Sequence, residues 1–231
     1  MADKQAIVTG AAGNLGHAVT DAFLDAGYKV HAIISYRDNG SFINRSGLSV
    51  HQADLGSETE TFSVLQGIIN NTESIDSVIM TVGGYAPGSL QEVSGTDIEK
   101  MFRLNFMTAF NVVKSILPVM EKQKTPGKLF FIGARPGLHP EQGINTVAYT
   151  LSKSLIFRLS EIINESCKKN NIRSFVIVPS IIDTPQNRLA MPEADFTKWV
   201  KPDEIARQVL RLENISNNDL KKNILEINSR F

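Results

Sequence analysis

The chain has 231 residues, 42% of them apolar and 21% charged, with 24 basic residues balanced by 24 acidic ones. That composition belongs to a soluble globular protein of one ordinary or two small domains, and its zero net charge without a basic block argues against nucleic acid or an anionic membrane as partner. A single cysteine, Cys167, excludes an internal disulfide and is expected to pack; His17, His31, His51 and His139 show no metal-ligand spacing, so no metal is expected. Without a signal-peptide pattern or a run of roughly 18 apolar residues, a cytoplasmic location is the expectation.

The first element is the apolar run Gln5 to Thr9, read as a strand. Gly10-Ala11-Ala12-Gly13-Asn14-Leu15-Gly16 follows, and then Val19, Ala22, Phe23 and Ala26 at helical spacing, closed by Gly27. A strand, a glycine-rich turn and a helix make a phosphate site, because a helix N-terminus offers unpaired N–H groups and glycines let a pyrophosphate approach them. Gly10 ends the strand, Gly13 suits a tight turn and Gly16 suits close helix packing. Alone, such a turn is weak evidence; its place between strand and helix strengthens it.

Lys29 to Ser35 reads as a second strand. An acid at its end would bind the ribose 2′-OH of NAD. Ile34 and Ser35 stand there instead, followed by Tyr36 and Arg37, with no acid before Asp38. A hydroxyl and a guanidinium suit a 2′-phosphate, so Ser35 and Arg37 favour NADP(H), with NAD(H) possible; the plainer reading of Arg37 is a solvated loop residue.

Leu48 to Gln52 is a short third strand, and Glu58 to Asn70 an amphipathic helix with Phe62, Leu65, Ile68 and Ile69 on one face. Ile75 to Val82 is a fourth strand closed by Gly83-Gly84, Asp97 to Glu121 a long helix, and Lys128 to Ile132 a fifth strand. Val147 to Lys169 is a second long helix, Arg173 to Val178 a sixth strand, Pro202 to Glu213 a helix with proline at its start, and Asn223 to Ile227 a last strand. Apolar strands alternating with helices predict an α/β fold: one domain over residues 1–231, a Rossmann-like doubly wound parallel sheet of about seven strands covered on both faces. The stretch Asp183 to Lys201 breaks the alternation after a strand's C-terminal end, where ligands bind, and is expected to be a substrate lid. Within it, Phe196 and Trp199 are expected to pack within the lid, the alternative being that they stack on a substrate.

The start of the second long helix carries Tyr149-Thr150-Leu151-Ser152-Lys153. Tyr149 and Lys153 are four residues apart and share a helix face. A neighbouring ammonium stabilises phenolate and lowers a tyrosine's pKa, which makes the pair a plausible proton donor for carbonyl reduction.

Over essentially its whole length the chain resembles the short-chain dehydrogenase/reductase family. Thr9 to Gly16 matches the cofactor turn, with Asn14 in place of a common glycine; Asp54-Leu55 resembles the adenine-contacting pair; Val82-Gly83-Gly84 falls at the Asn-Ala-Gly position; Asn105 matches the active-site asparagine; Tyr149 and Lys153 match the Tyr-x-x-x-Lys pair; and Pro179-Ser180-Ile181-Ile182-Asp183-Thr184 matches Pro-Gly-x-x-x-Thr with serine for glycine. The resemblance implies that Tyr149 protonates the substrate oxygen, that Lys153 lowers the Tyr149 pKa and binds the nicotinamide ribose, and that Asn105 holds a water linking Lys153 to solvent. Ile182 would offer its amide to the carboxamide, and Thr184 its side chain to carboxamide or pyrophosphate. The plainer readings are a backbone-bonded Asn105, a helix-capping Thr184, and solvated loop residues at Arg135, His139 and Arg188.

One departure is chemical. The family's serine about 13 residues before the tyrosine falls on Pro136 by counting, or on Ala134 by the strand end. Orientation of the substrate oxygen then falls to Tyr149, Thr146 or water, and an intrinsically electrophilic substrate needs the missing donor least. The segment Asp183 to Trp199 is similar to that of dihydropteridine reductases, which makes a quinonoid or pterin substrate a subordinate expectation. The expected activity is therefore hydride transfer between a nicotinamide cofactor and a small carbonyl-like or quinonoid compound. The alternatives are a dinucleotide-binding regulator with little turnover and an NAD-dependent alcohol dehydrogenase. Relatives pair their two long helices across a two-fold axis, so a homodimer or homotetramer is implied.

Overall fold

The computed structural model describes residues 4–38, 45–217 and 222–228. Seven parallel strands form one sheet: β1 (Gln5–Thr9), β2 (Lys29–Ile34), β3 (Leu48–Gln52), β4 (Ser77–Met80), β5 (Gly127–Ile132), β6 (Ile172–Pro179) and β7 (Ile224–Ile227), in the order β3-β2-β1-β4-β5-β6-β7. The order reverses between β1 and β4, and a doubly wound sheet opens its ligand crevice at that point, outside the strands' C-terminal ends.

Alternation along each strand feeds two cores. Leu129, Phe131, Val176 and Val178 face one, against α2 (Glu58–Ile69) and the long helices; Phe130, Phe175 and Ile177 face the other, against α1 (Asn14–Asp25) and α8 (Pro202–Glu213). Phe130 and Phe175 stack across β5 and β6 with centroids 5.4 Å apart. Burial on both faces is what the apolar strand sequences require. In α2, Leu65 and Ile68 turn inward as expected, but Phe62 is exposed, and Thr61 takes the inward place because its hydroxyl reaches the carbonyls of Leu55 and Ser57.

The stretch Asp97 to Glu121 is helical throughout to Met120, but a π-helical turn interrupts its α-helical ladder. A capping box of Ser94 and Asp97 starts α3 (Gly95–Phe102), a wide π-helical turn covers Arg103–Met107, and α4 (Thr108–Met120) continues. Two short helices lie where the sequence shows no periodicity, α5 (Arg135–Leu138) and α7 (Pro185–Ala190), and α6 (Val147–Ser166) carries the Tyr-x-x-x-Lys pattern. Cys167 at the end of α6 is fully buried, as packing predicts.

The segment after β6 is a folded excursion. It returns on itself through Asp183 N–H to Val200 O (2.8 Å) and Val200 N–H to Ile181 O (2.9 Å). Arg188 pairs with both oxygens of Asp183 (2.6 and 2.8 Å) and lies 4.8 Å over the Phe196 ring, which packs against Trp199 at 4.7 Å. Arg188 is thus exposed but lies on α7 and is ion-paired rather than free, and Trp199 is buried. At the sheet's opposite end, buried Lys128 donates to the carbonyls of Leu212 and Ile215 (3.0 and 2.7 Å), anchoring the C-terminus of α8 with a cation where its dipole favours one.

Candidate active site

The crevice begins at the glycine turn. Gly10 is left-handed, at φ +64°, and Gly13 N–H closes onto its carbonyl at 3.0 Å. A Cβ at Gly16 would lie 2.2 Å from Gly10 O and 2.7 Å from Ala11 Cα, so only glycine lets α1 pack this closely on the turn. Leu15 is buried beneath it. The N-terminus of α1 has no side-chain cap, whereas Ser57 and Ser94 cap α2 and α3. Its amides are therefore open to an anion, and the turn fits a dinucleotide pyrophosphate. Asn14 Nδ2 donates to Gln186 Oε1 at 2.9 Å, joining the turn to α7.

Beyond β2 the chain folds back on itself. Asp38 Oδ2 accepts from both Ser35 N–H and Ser35 Oγ, each at 3.0 Å. Of the two donors expected to hold a 2′-phosphate, the Ser35 hydroxyl already holds a carboxylate, and the nearest acid, absent from the strand end in sequence, stands there in space. Arg37 N–H donates to Ser35 Oγ at 3.3 Å, while its guanidinium bonds to no described residue. Next to this, Glu60 Oε2 accepts from Asp54 N–H and from Tyr36 Oη, both at 3.1 Å, and the Leu55 carbonyl holds Asn111 Nδ2 at 2.9 Å.

Asn105 sits in the middle of the π-helical turn and is buried. Its Oδ1 accepts from Gly84 N–H at 2.8 Å; its Nδ2 donates to Gly84 O and Ser152 Oγ, both at 3.0 Å. The amide thus clamps the loop after β4 to α6. A Cβ at Gly83 would lie 2.8 Å from Asn105 Oδ1 and 3.2 Å from Lys153 Nζ, so Gly83 is the backbone wall of this cluster. Ser152, which sequence reasoning passed over, completes it by donating to Tyr149 O at 2.7 Å.

Lys153 is buried, and its Nζ donates to Ile132 O at the end of β5, at 2.8 Å. Burial lowers its pKa from the ordinary 10.5 to about 8. Burial also pushes Tyr149 up to about 12, with Tyr85 adding to the shift. This corrects the expected lysine effect: with the ammonium turned to Ile132, desolvation governs the phenol. Tyr85 packs edge-on to Tyr149, centroids 5.3 Å apart at 66°.

Ala134 stands two residues past β5 as the N-cap of α5, and Pro136 is the second residue of α5. Neither carries a hydroxyl. Thr146 Oγ1 is buried and bonded to Thr150 Oγ1 at 3.1 Å, so it is turned away from the oxygen-orienting role considered for it. Gly137 allows α5 to touch α6: a Cβ there would lie 3.0 Å from the Lys153 carbonyl carbon. Pro179 ends β6, the Ile182 N–H lies outside the ladder with Val200, and Thr184 Oγ1 caps α7 by accepting from Asn187 N–H at 3.2 Å. Arg135 contacts Asn228, and His139 Nε2 lies 3.5 Å from Glu226, so neither is a free loop side chain. Among the described residues, no group of three or more His, Cys, Asp or Glu is placed to hold a metal ion, and no helix is long and apolar enough to cross a membrane.

The short chain dehydrogenase family profile matches residues 4–194. The chain belongs to the short-chain dehydrogenase/reductase family. It is 23% identical over 251 residues to a 3-oxoacyl-acyl-carrier-protein reductase of rhamnolipid biosynthesis from Pseudomonas aeruginosa, covering 100% of this chain and 97% of that protein. To the 3-oxoacyl-acyl-carrier-protein reductase FabG of Thermotoga maritima it is 23% identical, over 90% of this chain and 89% of the relative. Among solved structures, ElxO with NADP bound superposes with a TM-score of 0.87 at 21% identity, over 97% of both chains. As a short-chain dehydrogenase/reductase, the protein is an oxidoreductase with a fold that binds NAD(P) and a small-molecule substrate.

Proposed function

We propose that the protein reduces a small carbonyl-like or quinonoid compound, with Tyr149 as proton donor and NADP(H) as preferred cofactor. The observation that carries this reading is the cluster of buried Asn105, Ser152 and Lys153 with half-buried Tyr149, built against Gly83-Gly84 beside an uncapped glycine turn. When bound, the nicotinamide supplies the hydride. The chain's own residues do the rest. Gly10, Gly13, Asn14, Leu15 and Gly16 form the pyrophosphate turn, and Ser35 and Arg37 face the 2′-phosphate, with Asp38 opposing it. Asp54, Leu55, Gly83 and Gly84 wall the adenine and central parts. Pro179, the Ile182 N–H and Thr184 hold the carboxamide end.

Lys153, which holds Ile132 O, would hold the nicotinamide ribose hydroxyls of a bound cofactor. The phenol, kept protonated by burial, gives its proton to the substrate oxygen, and Asn105 holds the water that returns one through Lys153. The subordinate substrate reading, a quinonoid dihydropterin, rests on the Asp183–Trp199 segment and on the missing serine, since an electrophilic substrate needs fewer oxyanion donors. The segment 183–201 acts as the lid of a single domain spanning residues 1–231. Ile98, Phe102, Leu151, Leu155 and Ile162 are exposed on α3 and α6, and they support assembly into at least a homodimer through these helices.

A second reading, a dinucleotide-binding regulator, is favoured by Ala134 at the serine position and by the high Tyr149 pKa. NADPH oxidation with quinonoid dihydropterins, quinones and carbonyls, compared with Tyr149→Phe, separates the two: turnover lost in the variant supports the reductase, and NADPH binding without turnover on any compound supports the regulator.

A further inference from the structure

The reductase reading leaves one chemical gap. A developing oxyanion is normally held by two donors, and here Tyr149 is one while Ala134 supplies none. The other hydroxyls near the cluster are committed or enclosed. Thr146 and Thr150 bond to each other, Ser152 bonds to Tyr149 O, and Ser180 Oγ at the end of β6 is buried without a partner.

Tyr85 is different. It is 66% exposed, and its hydroxyl bonds to no described residue, yet its ring stands 5.3 Å from that of Tyr149. Its place is built from both sides. Gly84, the residue before it, is held at N–H and C=O by the Asn105 amide. Three residues later Gly88, at φ +142°, pairs with the approach to α6: Gly88 N–H donates to Asn145 O at 2.8 Å, and Val147 N–H to Gly88 O at 2.9 Å. The loop that carries Tyr85 is thus tied at both ends to the cluster and to the start of the helix that carries Tyr149. An exposed aromatic set edge-on to Tyr149, on a loop tied at both ends, is available for a ligand to cover.

We propose that Tyr85 is a catalytic residue that donates the second hydrogen bond to the substrate oxygen, in place of the serine. The proposal rests on Tyr149 being the proton donor. As the substrate carbon gains hydride, the carbon–oxygen π pair moves onto oxygen. Tyr149 gives that oxygen its proton, while Tyr85 keeps its own and holds the oxygen through its O–H. The same ring presents an aromatic edge or face to the substrate, so the class of substrate that fits best is a planar conjugated carbonyl or quinonoid ring.

The test uses 4-nitrophenolate, a planar oxyanion, and nitrobenzene, its neutral counterpart without the oxygen, titrated into the NADP-loaded protein. Wild type, Tyr85→Phe, Tyr85→Ala and Tyr149→Phe are compared, each with an unchanged thermal midpoint. Wild type is expected to bind the phenolate more tightly than nitrobenzene. Tyr85→Phe should weaken the phenolate on the order of ten- to hundredfold, as loss of a hydrogen bond to a charged group does, and leave nitrobenzene within about a factor of two. Tyr85→Ala should weaken both. Phenolate binding unchanged in Tyr85→Phe overturns the proposal, even where Tyr85→Ala is weak, because the ring alone would then matter. If Tyr149→Phe weakens the phenolate and Tyr85→Phe does not, the catalytic site stands and only the role of Tyr85 falls. If neither changes it, or wild type shows no preference for the phenolate, the reading of the site itself falls with it.

Discussion

Replacing Asp38 by asparagine should shift the protein toward NADPH. In the structure the Asp38 carboxylate sits 3.0 Å from both Ser35 N and Ser35 Oγ. A 2′-phosphate held by Ser35 and Arg37 would bring its charge to within roughly 4–5 Å of that carboxylate. Two unit charges at 4 Å repel by about 1 kcal/mol in water, and a phosphate near pH 7 carries between one and two charges, so the carboxylate opposes NADPH by about 1–2 kcal/mol. Asparagine keeps an acceptor for Ser35 but removes the charge. The NADPH affinity should therefore rise on the order of tenfold, and the NADH affinity, which has no 2′-phosphate to repel, should stay within about a factor of three. Fluorescence titration of both reduced cofactors measures the ratio directly. Repeating it at high salt should shrink the gain, because exposed charges are screened within about 10 Å at 0.1 M. An unchanged NADPH-to-NADH ratio, or a gain in NADH alone, would refute the reasoning and mark Asp38 as a ribose 2′-OH ligand of an NAD-dependent enzyme.

Gly16→Val should abolish binding of either cofactor, since even a Cβ would lie 2.2 Å from Gly10 O; calorimetric titration on a folded variant checks this, and retained micromolar binding would contradict the placement of the turn. Lys153→Met should stabilise the cofactor-free protein at pH 7. The folded lysine titrates at about 8 against an ordinary 10.5, so the folded state bears the full cost of the charge below pH 8, and wild-type stability rises as pH climbs from 8 to 10.5. That cost is about 3 kcal/mol, offset by about 1 kcal/mol for the bond to Ile132 O, so urea denaturation should give a net gain of about 2 kcal/mol, with cofactor-dependent turnover lost. Phe102→Glu, on the exposed face of α3, should yield a monomer by light scattering at micromolar concentration if the long helices form the dimer contact, and an unchanged mass would place the contact elsewhere.

Local spacing carried most of the architecture. The strand, turn and helix at residues 5–25 are readable because the glycines answer to backbone geometry within a few residues, and the strands are readable because burial on both faces demands unbroken apolar runs. Tyr149 and Lys153 are legible as a pair because a helix places residues four apart on one face. Their electrostatics were not legible. The Lys153 partner is the carbonyl of Ile132, 21 residues away, and desolvation is a property of the assembled core. The π-helical turn around Asn105 leaves no periodic signal, since it inserts itself into a continuous apolar pattern.

Asp38 was visible as a residue but not as a ligand of Ser35. The same serine-then-acid spacing of three folds back on the serine at Ser89–Glu92 and Ser94–Asp97, but at Ser57–Glu60 and Ser180–Asp183 the acid turns to other partners, so spacing alone does not mark Asp38. Tyr85 had no local signal either, because Gly88 and Thr146, which tie its loop to α6, are 58 positions apart.

The most direct measurement is cofactor oxidation by the purified protein with NADPH and a panel of quinonoid dihydropterins, quinones and carbonyls, in wild type and Tyr149→Phe, with NADPH binding measured in both. The account predicts turnover on a planar conjugated member of the panel that falls at least about a thousandfold in the variant, while NADPH binds both proteins alike. Turnover retained by Tyr149→Phe, or NADPH binding with no turnover on any compound, would contradict it.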